Sequence, residues 1–138
     1  MLKGIDPLLT GAVLLGLDRM GHADHVVISD AHFPAWSLGR QVIDIAGTSP
    51  RVVEAVISVL ALDDVHPVRL MADGADAEAL RPALIAATGV AAELAEEVER
   101  EAFYALAASS SLILRTSEVG LNGNVILTKG VTPSVSAP

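Results

Sequence analysis

Five short runs of branched aliphatic residues constrain this chain more than anything else in it. They are HVVIS at 25–29, QVIDIAG at 41–47, VRLMA at 68–72, SLILRT at 111–116 and NVILTK at 124–129. Each is too short for a helix and is bounded by turn formers, so each reads as a buried strand. Between them lie helical patterns. The first begins near Thr10 and puts Val13, Leu14, Leu17 and Met20 on one face. Gly21 follows as the expected left-handed cap. SPRVVEAVISVL suggests a second, with Ser49 as N-cap, Pro50 in the first turn and an inner stripe of Val52, Val53, Val56, Ile57 and Leu60. A third is expected over Leu80–Ala87, and residues 91–108 have helical propensity throughout. Helices alternating with buried strands predict one α/β layered domain over residues 1–138.

Composition narrows the partners. Aromatic residues make up only 3% of the chain, so the core must be largely aliphatic, yet 51% of residues are hydrophobic. That is more apolar surface than one small core hides, and burial between subunits is the expected outlet. A formal charge of −8 argues against nucleic acid or anionic lipid, both of which ask for a basic surface. The chain has no cysteine, which removes thiolate metal sites and a Cys nucleophile and suits the cytoplasm. Lys3 before Leu8–Leu17 has something of a signal sequence, but Asp6, Pro7 and Thr10 interrupt it and the segment reads better as an amphipathic helix. No apolar run reaches the ~18–20 residues of a membrane span.

The chemistry-bearing residues crowd into MGHADHVVISDAHFPAWS at 20–37, with three of the four histidines, two aspartates and the only tryptophan. His22, His25 and His32 with Asp24 and Asp30 could be read as metal ligands. Their spacing opposes it, because His25 and His32 flank a strand and a seven-residue separation spans over ~20 Å. Each histidine could equally be an ordinary loop residue. His22 and Asp30 form the other candidate pair, at the two ends of the first strand. Histidine alone titrates near neutrality and can both accept and donate a proton there. An aspartate nearby could orient the ring or bind hydroxyls. GLNGN and TKG are not nucleotide or phosphate loops, and ELAEEVERE reads as a solvated acidic face.

The opening block with its MGHAD turn and DAHFPA loop, the REAFY block and the closing GNVILTKGVTP together resemble the family of L-fucose mutarotases and D-ribose pyranases. The blocks stand in the family's order, cover the chain nearly end to end, and lie closer to the fucose branch. The resemblance implies a sheet flanked by helices and a ring-shaped homo-oligomer, typically a decamer, with sites at subunit contacts. It implies interconversion of the anomers of a free aldose, L-fucose or a similar sugar, without metal or cofactor. His22 matches the catalytic histidine, Asp30 the sugar-binding aspartate, and Arg100 the basic residue that opens R-x-A-F-Y. Asn122, Gly123 and Asn124 match the segment that touches the sugar. The resemblance also implies a strand just before that block, against the helical propensity of residues 91–98.

Two positions depart from the family pattern. Asn122 stands where many relatives carry Tyr, and Trp36 where the fucose branch often has His. Trp36 could stack on a sugar face or pack in the core or an interface, and both departures bear on which sugar is bound. A non-catalytic monosaccharide-binding module is the other reading that these residues allow.

Overall fold

A computed structural model of the chain describes residues 1–72 and 79–134. Its elements are α1 (Gly11–Asp18), β1 (His25–Ser29), α2 (Ala35–Leu38), β2 (Val42–Asp44), α3 (Ser49–Ile57) and β3 (Val68–Ala72). After them come α4 (Arg81–Thr88), a 3-10 turn, β4 (Ala95–Glu99), α5 (Arg100–Ser109), β5 (Leu112–Arg115) and β6 (Val125–Thr128). The six strands form one sheet in the order β2-β5-β1-β6-β3-β4. Only β6 runs against its neighbours, antiparallel to both β1 and β3. The other three pairings are parallel, so β1 to β5 all end on the same edge of the sheet, where β6 begins.

Helices cover both faces. On one, Val26, Ile28, Leu112, Leu114, Val125 and Leu127 pack against Val13 and Leu17 of α1 and Val52, Val53 and Val56 of α3. That layer is aliphatic, as the composition requires. On the other, Val27, Ile113, Ile126 and Met71 meet Phe33, Phe103 and Ala107. Here the scarce aromatics gather: the Phe33 ring stands edge-on to Phe103 at 5.8 Å and to Tyr104 at 5.4 Å between centroids, a favoured geometry for ring quadrupoles. No helix among the described residues is long and apolar enough to cross a membrane.

Several local expectations are corrected. Residues 95–99 form a strand, as the resemblance implies and propensity does not. Five register pairs to β3, Val68↔Ala95 through Ala72↔Glu99, outweigh the helical preference of AEEVE. The N-cap of α3 is Thr48, whose extended backbone lets its hydroxyl accept from Arg51 N. Ser49 sits one position inside the helix and turns its hydroxyl into the core. Gly21 is not left-handed; the positive φ falls on Ala23, at 71°. The end of α1 is instead closed by Lys129, whose Nζ donates to the carbonyls of Leu17 (3.3 Å) and Met20 (2.6 Å). The second strand shrinks to three residues, and the FPAWS loop contains the short helix α2.

Candidate functional site

The sheet has two polar ends. Because β6 opposes β1, Asn124 at the start of β6 lies beside Asp30 at the end of β1. Asp30 is only 3% exposed. Its Oδ1 accepts from the backbone N–H groups of His32 (3.0 Å) and Phe33 (2.8 Å). Its Oδ2 accepts from Gly123 N (3.1 Å) and Asn124 Nδ2 (3.2 Å). An ionised carboxylate offers about four acceptor positions, and here four donors fill them. Asp30 thus ties the loop after β1 to the loop before β6.

Around this tie the backbone is fixed from below. Ser49 Oγ donates to Gly123 O at 2.6 Å, and Thr116 Oγ1 donates to Ser29 O at 2.7 Å. Asn122 takes a left-handed φ of 56° and donates Nδ2 to Met71 O at 3.2 Å. Its Oδ1 lies 3.5 Å from Asn124 Nδ2, so Asn122 and Asn124 share a polar rim. His32 reaches Val119 O at 3.3 Å and joins that rim. Arg100 opens α5 directly after β4, whose last residue pairs in register with Ala72. It therefore belongs to the same edge of the sheet, two strands from Asn124, and its side chain is exposed. Five of the six residues singled out from the sequence (Asp30, Arg100, Asn122, Gly123 and Asn124) are thus gathered at one end.

His22 is at the other. It sits on the turn between α1 and β1, pinned by Gly21 N donating to Asp24 Oδ2 (2.7 Å) and Ala23 N donating to Lys129 O (2.8 Å). The His22 side chain is 61% exposed, and its Nε2 lies 3.4 Å from Asp63 Oδ1. Asp63 also accepts at Oδ2 from His66 N (2.9 Å) and Val65 N (3.2 Å). Those backbone donors, that of His66 foremost, hold its carboxyl below the usual carboxylate range, with His22 adding to the effect. The five residues of β1 between His22 and Asp30 run ~16 Å without a bend, so one chain cannot bring both to one small ligand.

The remaining histidines divide. His25 is half-buried, with Nε2 3.4 Å from Arg69 Nη1. Burial, and secondarily Arg69, lowers its pKa, while Asp24 opposes the shift. His66 pairs with Glu96 at 3.4 Å. Among the described residues no three His, Asp or Glu side chains converge as metal ligands would. Trp36 is 62% exposed, which removes the core-packing alternative.

Sequence reasoning passed over Asp63, Ser49 and the buried Glu118. Asp63 carries a faint signal, an aspartate three residues before His66 in LDDVHP, the spacing of a side chain that accepts from nearby backbone. Glu118 carries none; its backbone carbonyl accepts from Ala31 N and its Oε2 from Gly120 N. Neither end holds a finished pocket. The crevice between Met71, Arg81, Asn122 and Asn124 is too narrow for a water-sized sphere. The larger cavity, about 500 Å³, lies by α1 among Leu14, Leu15, Val59 and Lys129, and none of the candidate residues lines it.

Comparison with known proteins gives this geometry a context. The model of the RbsD / FucU transport protein family matches residues 3–132. The structure of protein Atu2016 is 37% identical, with a TM-score of 0.85 over 96% of this chain and 97% of that one. FucU from Bifidobacterium longum is 30% identical, with a TM-score of 0.86 over 94% and 99%. The fucose mutarotase of Streptococcus pneumoniae, solved in complex with L-fucose, is 27% identical, with a TM-score of 0.87 over 96% and 100%.

Proposed function

The chain belongs to the RbsD / FucU transport protein family, and on that premise we propose that it is an aldose mutarotase acting on L-fucose or a closely similar free sugar. The observation that carries the reading is the likeness, over the whole of both chains, to a fucose mutarotase solved with its sugar. The arrangement of polar residues supports it, and it also sets the form that the site must take.

Anomers interconvert by opening the hemiacetal. The O1–H bond breaks as its proton passes to a base. The O1 electrons form the C1=O1 bond, the C1–O5 pair moves onto the ring oxygen, and that oxygen takes a proton from water. Closure on the other face of C1 reverses each transfer. His22 is the group suited to take and return the O1 proton near neutral pH, being exposed and set on a pinned turn. The Asn122–Asn124 rim and Arg100 supply hydroxyl partners, with Asp30 organising the rim and exchanging one of its present donors for a sugar hydroxyl. The reaction needs no metal or redox cofactor. Holding the sugar against the base contributes the rest.

Since His22 and the Asp30 rim lie at opposite ends of β1, a working site takes His22 from one copy and the rim from a neighbour. That arrangement fits a closed ring of copies, for which we propose a decamer. It also gives the surplus apolar surface a use: Leu15, Trp36, Val59, Val119, Leu121 and Val131 are exposed on the single chain.

The test is exchange NMR on L-fucose, with D-ribose and D-galactose beside it. Faster exchange between anomeric signals on adding protein is expected, and no acceleration for any of the three sinks the proposal. A non-catalytic monosaccharide-binding module is the second reading. It is favoured by Asn122, whose amide already binds Met71 O and which offers no phenolic hydroxyl. Saturable binding without faster exchange would mark that outcome.

A further inference from the structure

We propose that Asp63 is the positioning residue of His22, and that it decides which ring nitrogen meets the sugar. The inference rests on the proposed role of His22 and adds a residue and an atom to it.

A carboxylate is an acceptor only, so the contact between Asp63 Oδ1 and His22 Nε2 requires the proton on Nε2. That tautomer leaves the lone pair on Nδ1, away from Asp63. Nδ1 is then the base that takes the O1 proton. The imidazolium formed faces the carboxylate through Nε2–H and returns the Nδ1 proton to O1 on ring closure. Asp63 keeps its own charge throughout and exchanges no proton with the sugar. At 3.4 Å the contact is long for a hydrogen bond, in keeping with catalytic pairs that tighten once substrate is bound.

The pair is set by backbone rather than by chance meeting of side chains. Both partners hang on the end of β6. On one side Ala23 N donates to Lys129 O at 2.8 Å and Lys129 N donates to Asp24 O at 2.9 Å, which frames His22. On the other, Asp63 N donates to Thr128 O at 2.9 Å and Gly130 N donates to Ala61 O at 2.8 Å. The Asp63 carboxylate cannot swing freely, because Oδ2 is occupied by the N–H groups of Val65 and His66. Between His22 and its anchor, Ala23 holds a left-handed φ of 71°. A non-glycine residue takes that conformation only where its surroundings enforce it.

The expected signature is spectroscopic first and kinetic second. With ¹⁵N-labelled histidine and no sugar present, His22 in the native protein shows protonated Nε2 and bare Nδ1. In Asp63→Asn the side-chain oxygen stays with the two backbone donors and the amide nitrogen turns towards His22. That converts the ring to the Nδ1–H tautomer and removes the base. On the sugar that the native protein turns over, kcat falls ~10–100-fold with KM within about twofold, the range for outer partners of a catalytic group. Asp63→Glu recovers part of the rate.

A native His22 that is protonated at Nδ1, or a tautomer that does not change in Asp63→Asn, overturns the proposal. So does an unchanged kcat in a variant whose tautomer has reversed. If the native protein accelerates no sugar, the proposed function fails, and the tautomer measurement still decides what Asp63 does to His22. The native spectrum keeps the test decisive even if the variant does not fold.

Discussion

Asp30 and Asn124, distant in sequence, hold each other by two hydrogen bonds: Asp30 N donates to Asn124 Oδ1 at 2.8 Å, and Asn124 Nδ2 donates to Asp30 Oδ2 at 3.2 Å. The pairing makes the rim of the proposed site a structural unit as well as a binding surface. Asp30→Ala leaves four donors without their acceptor in a buried place, so unfolding free energy should fall by about 3–5 kcal/mol. Asp30→Asn keeps part of the network and should lose about 1–3 kcal/mol. Urea unfolding followed by circular dichroism measures both, and a loss below that of Asn would show the rim to be loosely held.

Ser49 acts on the same rim from inside the fold. Its hydroxyl is the donor to Gly123 O, and Ser49→Ala should lower stability by about 1–2 kcal/mol. Gly123 would be freed to shift, so KM for the sugar should rise while kcat stays near the native value. A loss confined to kcat would argue against this positioning role.

Two glycines are expected to respond oppositely to alanine. A Cβ on Gly130 would lie 2.6 Å from the Leu62 carbonyl carbon and 2.8 Å from Asp63 N, backbone atoms that cannot turn aside. Gly130→Ala should cost about 2–4 kcal/mol and displace Asp63 from His22. A Cβ on Gly11, at the start of α1, meets nothing within 4 Å. Gly11→Ala should stabilise the protein by about 0.5 kcal/mol through a less flexible unfolded chain. Thermal melts of the two variants should move in opposite directions.

The stability of the protein should also report on His25. Burial, and then the Arg69 guanidinium, lowers its folded pKa from the ordinary 6.5. Below 6.5 the unfolded chain binds a proton that the folded chain resists, so stability falls on acidification through that window and rises with pH across it. Replacing His25 by Gln should flatten the difference in melting temperature between about pH 7 and about pH 5 relative to the native protein. An unchanged slope would mean that His25 ionises as freely folded as unfolded.

A site shared between copies can be tested by mixing. His22→Ala and Arg100→Ala each remove one exposed group, from opposite ends of the sheet, and each variant alone should be nearly inactive. Unfolded together in equal amounts and refolded, the two should regain about one quarter of native activity, the fraction of random neighbour contacts with both groups intact. No recovery would place His22 and Arg100 in separate functions.

The layered fold could be read from the sequence because buried strands and amphipathic helices differ in period, and that difference is local. The cap at Thr48, the left-handed Ala23 and the strand at 95–99 could not. Each is decided by a remote partner: the Ser49 hydroxyl by Gly123, the His22 turn by Lys129, and β4 by β3. The residues of the rim were legible by resemblance, whereas the saturation of the Asp30 carboxylate was not, since two of its four donors come from the far end of the chain. The pairing of Asp63 with His22 joins residues forty-one positions apart, beyond the reach of any motif.

The acidic strand β4 has one more effect. It forms a border of the sheet, and a bare border invites another strand to extend it. Glu96 and Glu97 point to opposite faces there, ion-paired to Arg69 and Arg81. A second copy laid along this border would have to strip water from carboxylates on both faces at once. The opposite border, β2, is only three residues long. Growth by strand addition is therefore discouraged on either side, and copies of this chain are steered towards meeting by their helices and strand termini. The same charges that disguise β4 as a helix in the sequence guard the folded protein against fibre formation.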